Sequence, residues 1–388
     1  GWHDAGDFDL RIESQTGEIY HLSAAVEEFN AFWDETTVDQ NSKVVEIHQP
    51  DGKNDFLQQI EHGALSIVAG YKALGRLYHE IMCQNLRQYV LLGDPVNMTS
   101  HITDGPDERY VFTENNPAKE LQSSARLAAA YRALKGYNDS LAKDCLDIAI
   151  ALYDQLEEQN AVGKSVDDSG VGYYVRTDNT RIQAACELFL STGEEKYRTR
   201  ILGYVDYIKE NVDKVGWCVC RCIDKLQDEA FKQTVKEALI VHQKNIANMC
   251  AETPYRIPYR PNTWGAGWGI QTMGAKYYFL HKAFPDVFPA DVMYDALNFI
   301  LGCHPGSNTA SFASGIGAVS HTIAYGFNRA DWSYIPGGVS SGTALIRPDF
   351  PELLEFPFLW QQSEYVIGGG SSDYLFLVLA VANTLKNK

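Results

Sequence analysis

Apolar residues recur along most of this chain at intervals of three and four, the spacing that puts one stripe of a helix against a core. Leu22, Val26 and Phe29 predict a helix over 21–33. Ile60, Ala64, Ile67, Tyr71, Leu74 and Tyr78 predict a longer one. Pro117 suits a first helical turn, and Leu127, Tyr131 and Leu134 continue that helix until Gly136. Leu141, Cys145, Ile148 and Leu152 mark another helix over 140–158. Further helices are expected over 179–191 and 194–212, with Ser191-Thr192-Gly193 as the joint and Glu194 and Glu195 favouring the second N-terminus. Others follow over 224–250, 269–284 and 290–301. The last, over 372–386, is apolar on nearly every side, which predicts burial.

The intervening stretches have no such period. Residues 34–54 are polar and irregular, with Asp51-Gly52 as a turn signal. Residues 83–116 form a long connection punctuated by Pro95, Gly105 and Pro106, and a stretch of that length is commonly functional. Its Arg87, Tyr89, Asp94, His101, Asp104, Tyr110 and Phe112 are candidates to line a cleft or to sit on a plain surface loop. Gly170 to Tyr174 reads as a turn. Pro254, Pro258 and Pro261 break the chain before Trp264-Gly265-Ala266-Gly267-Trp268, and residues 303–362 are loop-rich. No strand alternation of useful length is visible. Paired helices with short joints predict an all-α array.

Composition narrows the function. The 388 residues carry a formal charge of −17, from 33 basic and 50 acidic side chains. Nucleic acids and anionic membranes call for a basic footprint, so both are disfavoured. A neutral polysaccharide is a better partner than an acidic one. Aromatic residues make up 12%, including 22 Tyr and 7 Trp, which suits stacking on sugar rings as well as core packing. No run of 18 apolar residues exists to span a membrane.

Eight cysteines leave the redox compartment open. Cys145 and Cys186 fall in helical patterns and are expected as packed thiols. Cys218-Val219-Cys220-Arg221-Cys222 lacks zinc-type spacing and is expected as a free-thiol or disulfide loop. Asn97-Met98-Thr99 and Asn138-Asp139-Ser140 match the glycosylation acceptor pattern.

Candidate chemistry sits at the two ends. Gly1-Trp2-His3-Asp4-Ala5-Gly6-Asp7-Phe8 places two carboxylates three residues apart among aromatics and glycine. Such a cluster favours a turn that aims both at one point, and its spacing is equally that of a solvated turn or helix cap. Near the other end, Glu364 lies among apolar and aromatic neighbours before Gly368-Gly369-Gly370. An apolar setting keeps a carboxyl protonated near neutral pH. One ionised and one protonated carboxyl are what glycoside hydrolysis requires.

Trp2-His3-Asp4-Ala5-Gly6-Asp7 resembles the tryptophan–any residue–DAGD signature of glycoside hydrolase family 9, the inverting β-glucanase and cellulase family. Ser363-Glu364-Tyr365-Val366-Ile367 is similar to its Asn-Glu-Val-Ala-Ile segment, and Leu297-Asn298-Phe299-Ile300-Leu301-Gly302-Cys303-His304-Pro305 resembles Asp-Tyr-Ile-Leu-Gly-x-Asn-Pro. Ser311-Phe312, Gly315-Ile316-Gly317 and Pro336-Gly337-Gly338 also fit, in the family's order. The resemblance implies an (α/α)6 barrel over 1–388, here lacking its first helix unless a separate chain or domain completes it, with an immunoglobulin-like domain upstream in many members. It implies inverting hydrolysis of a β-glucan or β-linked oligosaccharide, Asp7 as base, Asp4 holding the water and Glu364 as acid. Trp2, His3, Trp264, Trp268, His321, Arg329 and Tyr365 are the implied substrate contacts, with Trp264 and Trp268 equally readable as core.

The same resemblance implies no required cofactor and a secreted, periplasmic or cell-surface location. Some relatives hold structural calcium, for which Asp167-Asp168 is a candidate pair, though such pairs are commonly just solvated. Two departures stand out. The family's Pro-His-His-Arg motif is absent from Ser320 to Arg329, where His321 and Arg329 are the candidates to replace it. Gly368 to Asp373 replaces Asp-x-Asn-Ala after the acid. Both affect the grip on substrate, so cellulose itself is not assumed. A non-catalytic glycan binder and a lyase or uronyl hydrolase on a similar barrel are the competing readings; the −17 charge opposes the lyase and intact Asp4, Asp7 and Glu364 oppose the binder.

Overall fold

The computed structural model describes residues 1–3, 9–83, 109–158, 162–166, 172–259, 266–306, 309–320, 335–340 and 370–386. In chain order it contains β1 (Leu10–Arg11), α1 (Ile12–Phe29), β2 (Thr36–Asp39), β3 (Val44–Ile47), α2 (Asp55–Leu74), β4 (Glu80–Cys83), β5 (Arg109–Phe112), α3 (Pro117–Leu134) and α4 (Asp139–Glu158). Then come β6 (Val162–Val166), β7 (Gly172–Arg176), α5 (Asp178–Thr192), α6 (Glu195–Gly203), α7 (Val205–Glu210), α8 (Val212–Cys222), α9 (Glu229–Ala251), α10 (Ala266–Ala283), α11 (Asp291–Ile300) and α12 (Ser371–Lys386). The chain divides into two compact units.

The first unit comprises residues 1–2, 12–80 and 111–235. Its centre is α3, packed by α1, α4 and α5. Ser123, Ser124, Ala125, Ala128, Ala129 and Ala130 are all buried, and such small side chains let three neighbours approach one helix closely. Ile19, Ile60, Ile67, Leu127, Ile182 and Leu188 fill the gaps without solvent exposure. Helix ends follow local chemistry. The Asn54 side chain caps α2 by accepting from the Phe56 N–H, and Gly75 ends it in the left-handed region at φ 67°. Asn116 accepts from the Lys119 N–H to cap α3, with Pro117 in its first turn.

Several elements differ from the sequence expectation. Helix α1 begins at Ile12 rather than near His21. It is buried almost all round at its start, with Ser14, Gln15, Thr16 and Glu18 inside, so no polar face marks it. The helix expected over 194–212 is broken at Tyr204 and Asn211 into α6, α7 and the start of α8. Cys218, Cys220 and Cys222 lie in α8 as buried free thiols, which corrects the expected loop. Val212, Val215 and Val219 extend the same buried surface, so this is a helix built into the core. Residues expected to be irregular form an antiparallel hairpin, with Thr36 opposite Ile47 and Asp39 opposite Val44. Its four-residue strands were too short to register as alternation. A second hairpin pairs Val162 with Arg176 and Val166 with Gly172, so Gly172 to Tyr174 belong to a strand rather than a turn.

The second unit comprises residues 3–11, 81–110 and 236–388. Helix α10 packs against α11 and α12. A Cβ on Gly274 would lie 2.8 Å from Leu377 Cδ1, so α10 and α12 meet closely where a side chain is missing. Phe376, Leu377, Ala380, Ile270, Met293, Ala296 and Ile300 are fully buried there. The three-stranded sheet of order β1-β4-β5 belongs chiefly to this unit.

Candidate active site

Three of the implied site residues lie among those described. Trp2 is fixed within the first unit by hydrogen bonds at every polar atom. Its N–H donates to Gln15 Oε1 at 2.8 Å, its carbonyl accepts from Gln15 Nε2, and its indole Nε1 donates to Gln59 Oε1 at 3.2 Å. The indole stands edge-on to His62 at 5.4 Å. It lies so close over α2 that a Cβ on Gly63 would come within 2.5 Å of the ring. Entry to the Trp2–Asp7 motif is thus anchored to α1 and α2 by the tryptophan that opens it. Gln15, Gln59 and His62 were not singled out in the sequence; polar residues inside apolar helical stripes were their only signal.

His3 opens the second unit. Arg109, on β5, places its Nη1 3.3 Å from His3 Nε2. An arginine nitrogen is always a donor, so Nε2 accepts and the ring proton belongs on Nδ1. Burial and the Arg109 charge bring the His3 imidazole down to about 4, so the ring is neutral at ordinary pH. Arg109 belongs to the long connection flagged in the sequence but was not among its named candidates, because a lone arginine there carries no pattern.

Trp268 sits in the first turn of α10, with its indole Nε1 buried and without a hydrogen-bond partner among the described residues. The following Gly269 carries the Tyr259 ring; a Cβ there would lie 2.7 Å from it. Asp4, Asp7, Trp264, His321, Arg329, Glu364 and Tyr365 lie outside the described residues, as does the Asp167-Asp168 pair.

The motifs between the two ends are brought together in the second unit. Leu297 to Pro305 closes α11, where the Gly302 φ of 68° and the 2.2 Å from its would-be Cβ to the Thr309 carbonyl oxygen exclude any side chain. Phe312 N–H donates to the Ile300 carbonyl at 2.8 Å, and Ala318 N–H to that of Leu301 at 2.8 Å. Ser314 N–H donates to the Gly338 carbonyl and Gly337 N–H to that of Ser314, both at 2.9 Å. The 311–318 segment is therefore tied to the end of α11 through its backbone, and Pro336–Gly338 is tied in turn to Ser314. His304 stacks on Phe299 at 5.5 Å and meets the edge of Tyr255 at 4.6 Å, while Phe312 stacks on Phe299 at 5.6 Å. This aromatic wall joins the Tyr255–Tyr259 segment to the matched motifs. Among the described residues no group of three or more His, Cys, Asp or Glu side chains is placed to hold a metal ion. No helix among them is long and apolar enough to cross a membrane.

Comparison with known proteins agrees with the family resemblance. The sequence profile of Glycosyl hydrolase family 9 matches residues 1–326. Endoglucanase D of Acetivibrio thermocellus is 22% identical over 322 residues, covering 78% of this chain and 48% of its own length. The chain therefore spans about half the length of that curated relative. A single-mutant thermostable endoglucanase from Alicyclobacillus acidocaldarius superposes with a TM-score of 0.73 at 16% identity, covering 98% of this chain and 74% of its own. The cellulase Cel9M of C. cellulolyticum in complex with cellobiose gives a TM-score of 0.70 at 17% identity, with coverage of 100% and 88%. At such identities the likeness is one of fold, an all-α architecture of the (α/α)6 kind.

Proposed function

Since the chain belongs to glycosyl hydrolase family 9, we propose that it hydrolyses β-glycosidic bonds with inversion, in a β-glucan or β-linked oligosaccharide. The observation that carries this reading is the family match from residue 1, which includes the complete Trp2-His3-Asp4-Ala5-Gly6-Asp7 motif. The acid lies beyond the matched residues and rests on the Ser363-Glu364-Tyr365-Val366-Ile367 segment.

In this reaction Glu364 acts as the acid and gives its proton to the departing glycosidic oxygen. Asp7 takes a proton from water as the water attacks the anomeric carbon on the opposite face of the ring. Asp4 accepts the second hydrogen bond of that water and holds it in line. Room for the water sets the two carboxyls about 6.5–9.5 Å apart. Trp2 and neutral His3 lead into Asp4 and Asp7 along the chain, and Trp264, Trp268, His321, Arg329 and Tyr365 grip the sugar. The reaction needs no cofactor, and a secreted or cell-surface location suits a polymeric substrate. The altered Ser320–Arg329 and Gly368–Asp373 segments favour a short oligosaccharide or an uncommon β-glycan over crystalline cellulose.

Proton NMR of β-glucan oligosaccharides incubated with the protein tests this directly. Fresh α-anomer is expected from the unaltered chain. Asp7→Asn and Glu364→Gln should each lower kcat by about 10²–10⁴. Initial release of β-anomer would overturn inversion. Full activity in Glu364→Gln would remove Glu364 from the acid's role. An unsaturated uronate product would favour a lyase instead.

A further inference from the structure

Strand β2, the hairpin turn and the middle of α2 line an open surface cleft of about 510 Å³ in the first unit, with Asn138 completing its wall. That volume falls in the range of about 300–1,000 Å³ typical of small-molecule sites. Asp39, Gln40, Asn41, Asp51, Glu61 and Asn138 contribute most of its polar lining.

These groups are oriented by bonds of their own. The Asp39 carboxylate accepts from the Asn41 N–H at 2.8 Å and the Ser42 N–H at 3.2 Å. Asp51 accepts from Gln58 Nε2 at 2.7 Å. Asn138 Nδ2 donates to Glu61 Oε1 at 2.7 Å. The Gln40 amide meets His62 Nδ1 at 3.3 Å. The lining therefore presents fixed amides and carboxylates, the mixture of donors and acceptors that vicinal hydroxyls require. Three carboxylates against the single ammonium of Lys53 reject phosphate and uronate ligands.

The segment leading into the hairpin holds two exposed aromatics outside the lining of the cleft. Phe32 and Trp33 are 63% and 57% exposed. Their backbone is nevertheless pinned to the start of α2. Asn54 Nδ2 donates to the Ala31 carbonyl at 2.9 Å, Asp55 N–H to that of Trp33 at 2.7 Å, and Glu35 N–H to Asp55 Oδ2 at 2.9 Å. Two large aromatics exposed on a backbone-pinned strap are a feature of interaction surfaces, and aromatic rings of this kind are suited to stacking on the C–H faces of β-linked glucose.

We propose that the β2–β3 hairpin carries a carbohydrate-binding site of its own, for a neutral β-linked glucan segment. The choice of sugar rests on the hydrolase reading above; the polyhydroxyl class rests on the cleft itself. Such a site would keep a glucan chain tethered to the protein between hydrolytic events.

Hydrogen-exchange mass spectrometry of the intact protein, titrated with cellotetraose, tests this. The Glu364→Gln chain is run in parallel to suspend turnover. Saturable protection is expected in peptides spanning 36–53. Gln40→Ala and Asn41→Ala should each raise its half-saturation concentration about tenfold, the effect of a lost hydrogen bond. Asn41 is exposed in the hairpin turn, so Asn41→Ala leaves the fold intact, as an unchanged melting temperature would confirm. Absence of protection at 36–53, or half-saturation unmoved in both variants, overturns the proposal. Turnover of cellotetraose by the unaltered chain reports separately on the hydrolase reading.

Discussion

His3 shows how one residue ties the motif to its surroundings. Its folded-state value of about 4 lies below the ordinary 6.5, with burial as the larger cause and the Arg109 charge next. As the pH falls, the unfolded chain takes up this proton first. Stability from His3 is therefore complete above about pH 6.5 and declines as the pH drops toward 4. NMR titration should find the imidazole neutral throughout the range where an ordinary histidine titrates. Arg109→Gln should move the midpoint upward, and an unmoved midpoint would show that burial alone sets it. At the same scale, Trp2 and Gly63 form a matched pair. The sequence marked the tryptophan by its motif, but a glycine inside a helical stripe gave no sign that an indole lies on it.

Among the elements, α5 carries the charge cluster that joins its neighbours in the first unit. Glu187 is fully buried. It accepts from Arg132 Nη2 at 2.6 Å on α3, Arg221 Nε at 2.7 Å on α8 and the Tyr20 hydroxyl at 2.8 Å on α1. Burial alone would push its carboxyl up; Arg221 and Arg132 outweigh that and hold it below the usual range. Its stabilisation is present above the ordinary carboxyl range and lost as pH falls through the depressed value. Glu187→Gln should cost about 3–5 kcal/mol, because two buried guanidinium groups lose their shared counter-charge. A lower urea midpoint with an unchanged slope would register that loss; an unaltered midpoint would mean that Glu27, which also bonds Arg132 and Arg221, suffices. None of this was legible beforehand. Tyr20, Arg132, Glu187 and Arg221 are far apart in the chain, and each alone reads as an ordinary polar position.

Across the molecule, the seven cysteines whose side chains are described separate by depth rather than by spacing. Cys145, Cys186, Cys218, Cys220 and Cys222 are buried, Cys250 is half-buried and Cys303 is exposed. Burial pushes the Cys145 thiol up to about 12 and that of Cys250 up to about 11. Only the thiolate reacts. Among these seven, maleimide should therefore label Cys303 first and Cys250 slowly, and the five buried thiols only after denaturation. Early labelling of Cys218 or Cys222 would contradict the packing of α8. The family match and the fold likeness agree with the family resemblance read along the chain. Sequence motifs reached this scale well because each is a continuous string whose backbone geometry depends on its own glycines, prolines and aromatics.

The helical periods of α2, α3, α4, α10, α11 and α12 were determined by the sequence alone, since a stripe against a core is written at intervals of three and four. So were the resemblance and its candidate carboxylates, since short motifs need only neighbours in the chain. The early start of α1, the helical state of Cys218 to Cys222 and the two hairpins were decided by tertiary structure. A helix buried on every side shows no polar face, and a four-residue strand is too short to show alternation. The anchoring of Trp2 by Gln15 and Gln59, the neutrality of His3 and the shared bonds of Glu187 likewise arise only when distant residues meet. Their energies come from burial and proximity, which no local stretch of sequence contains.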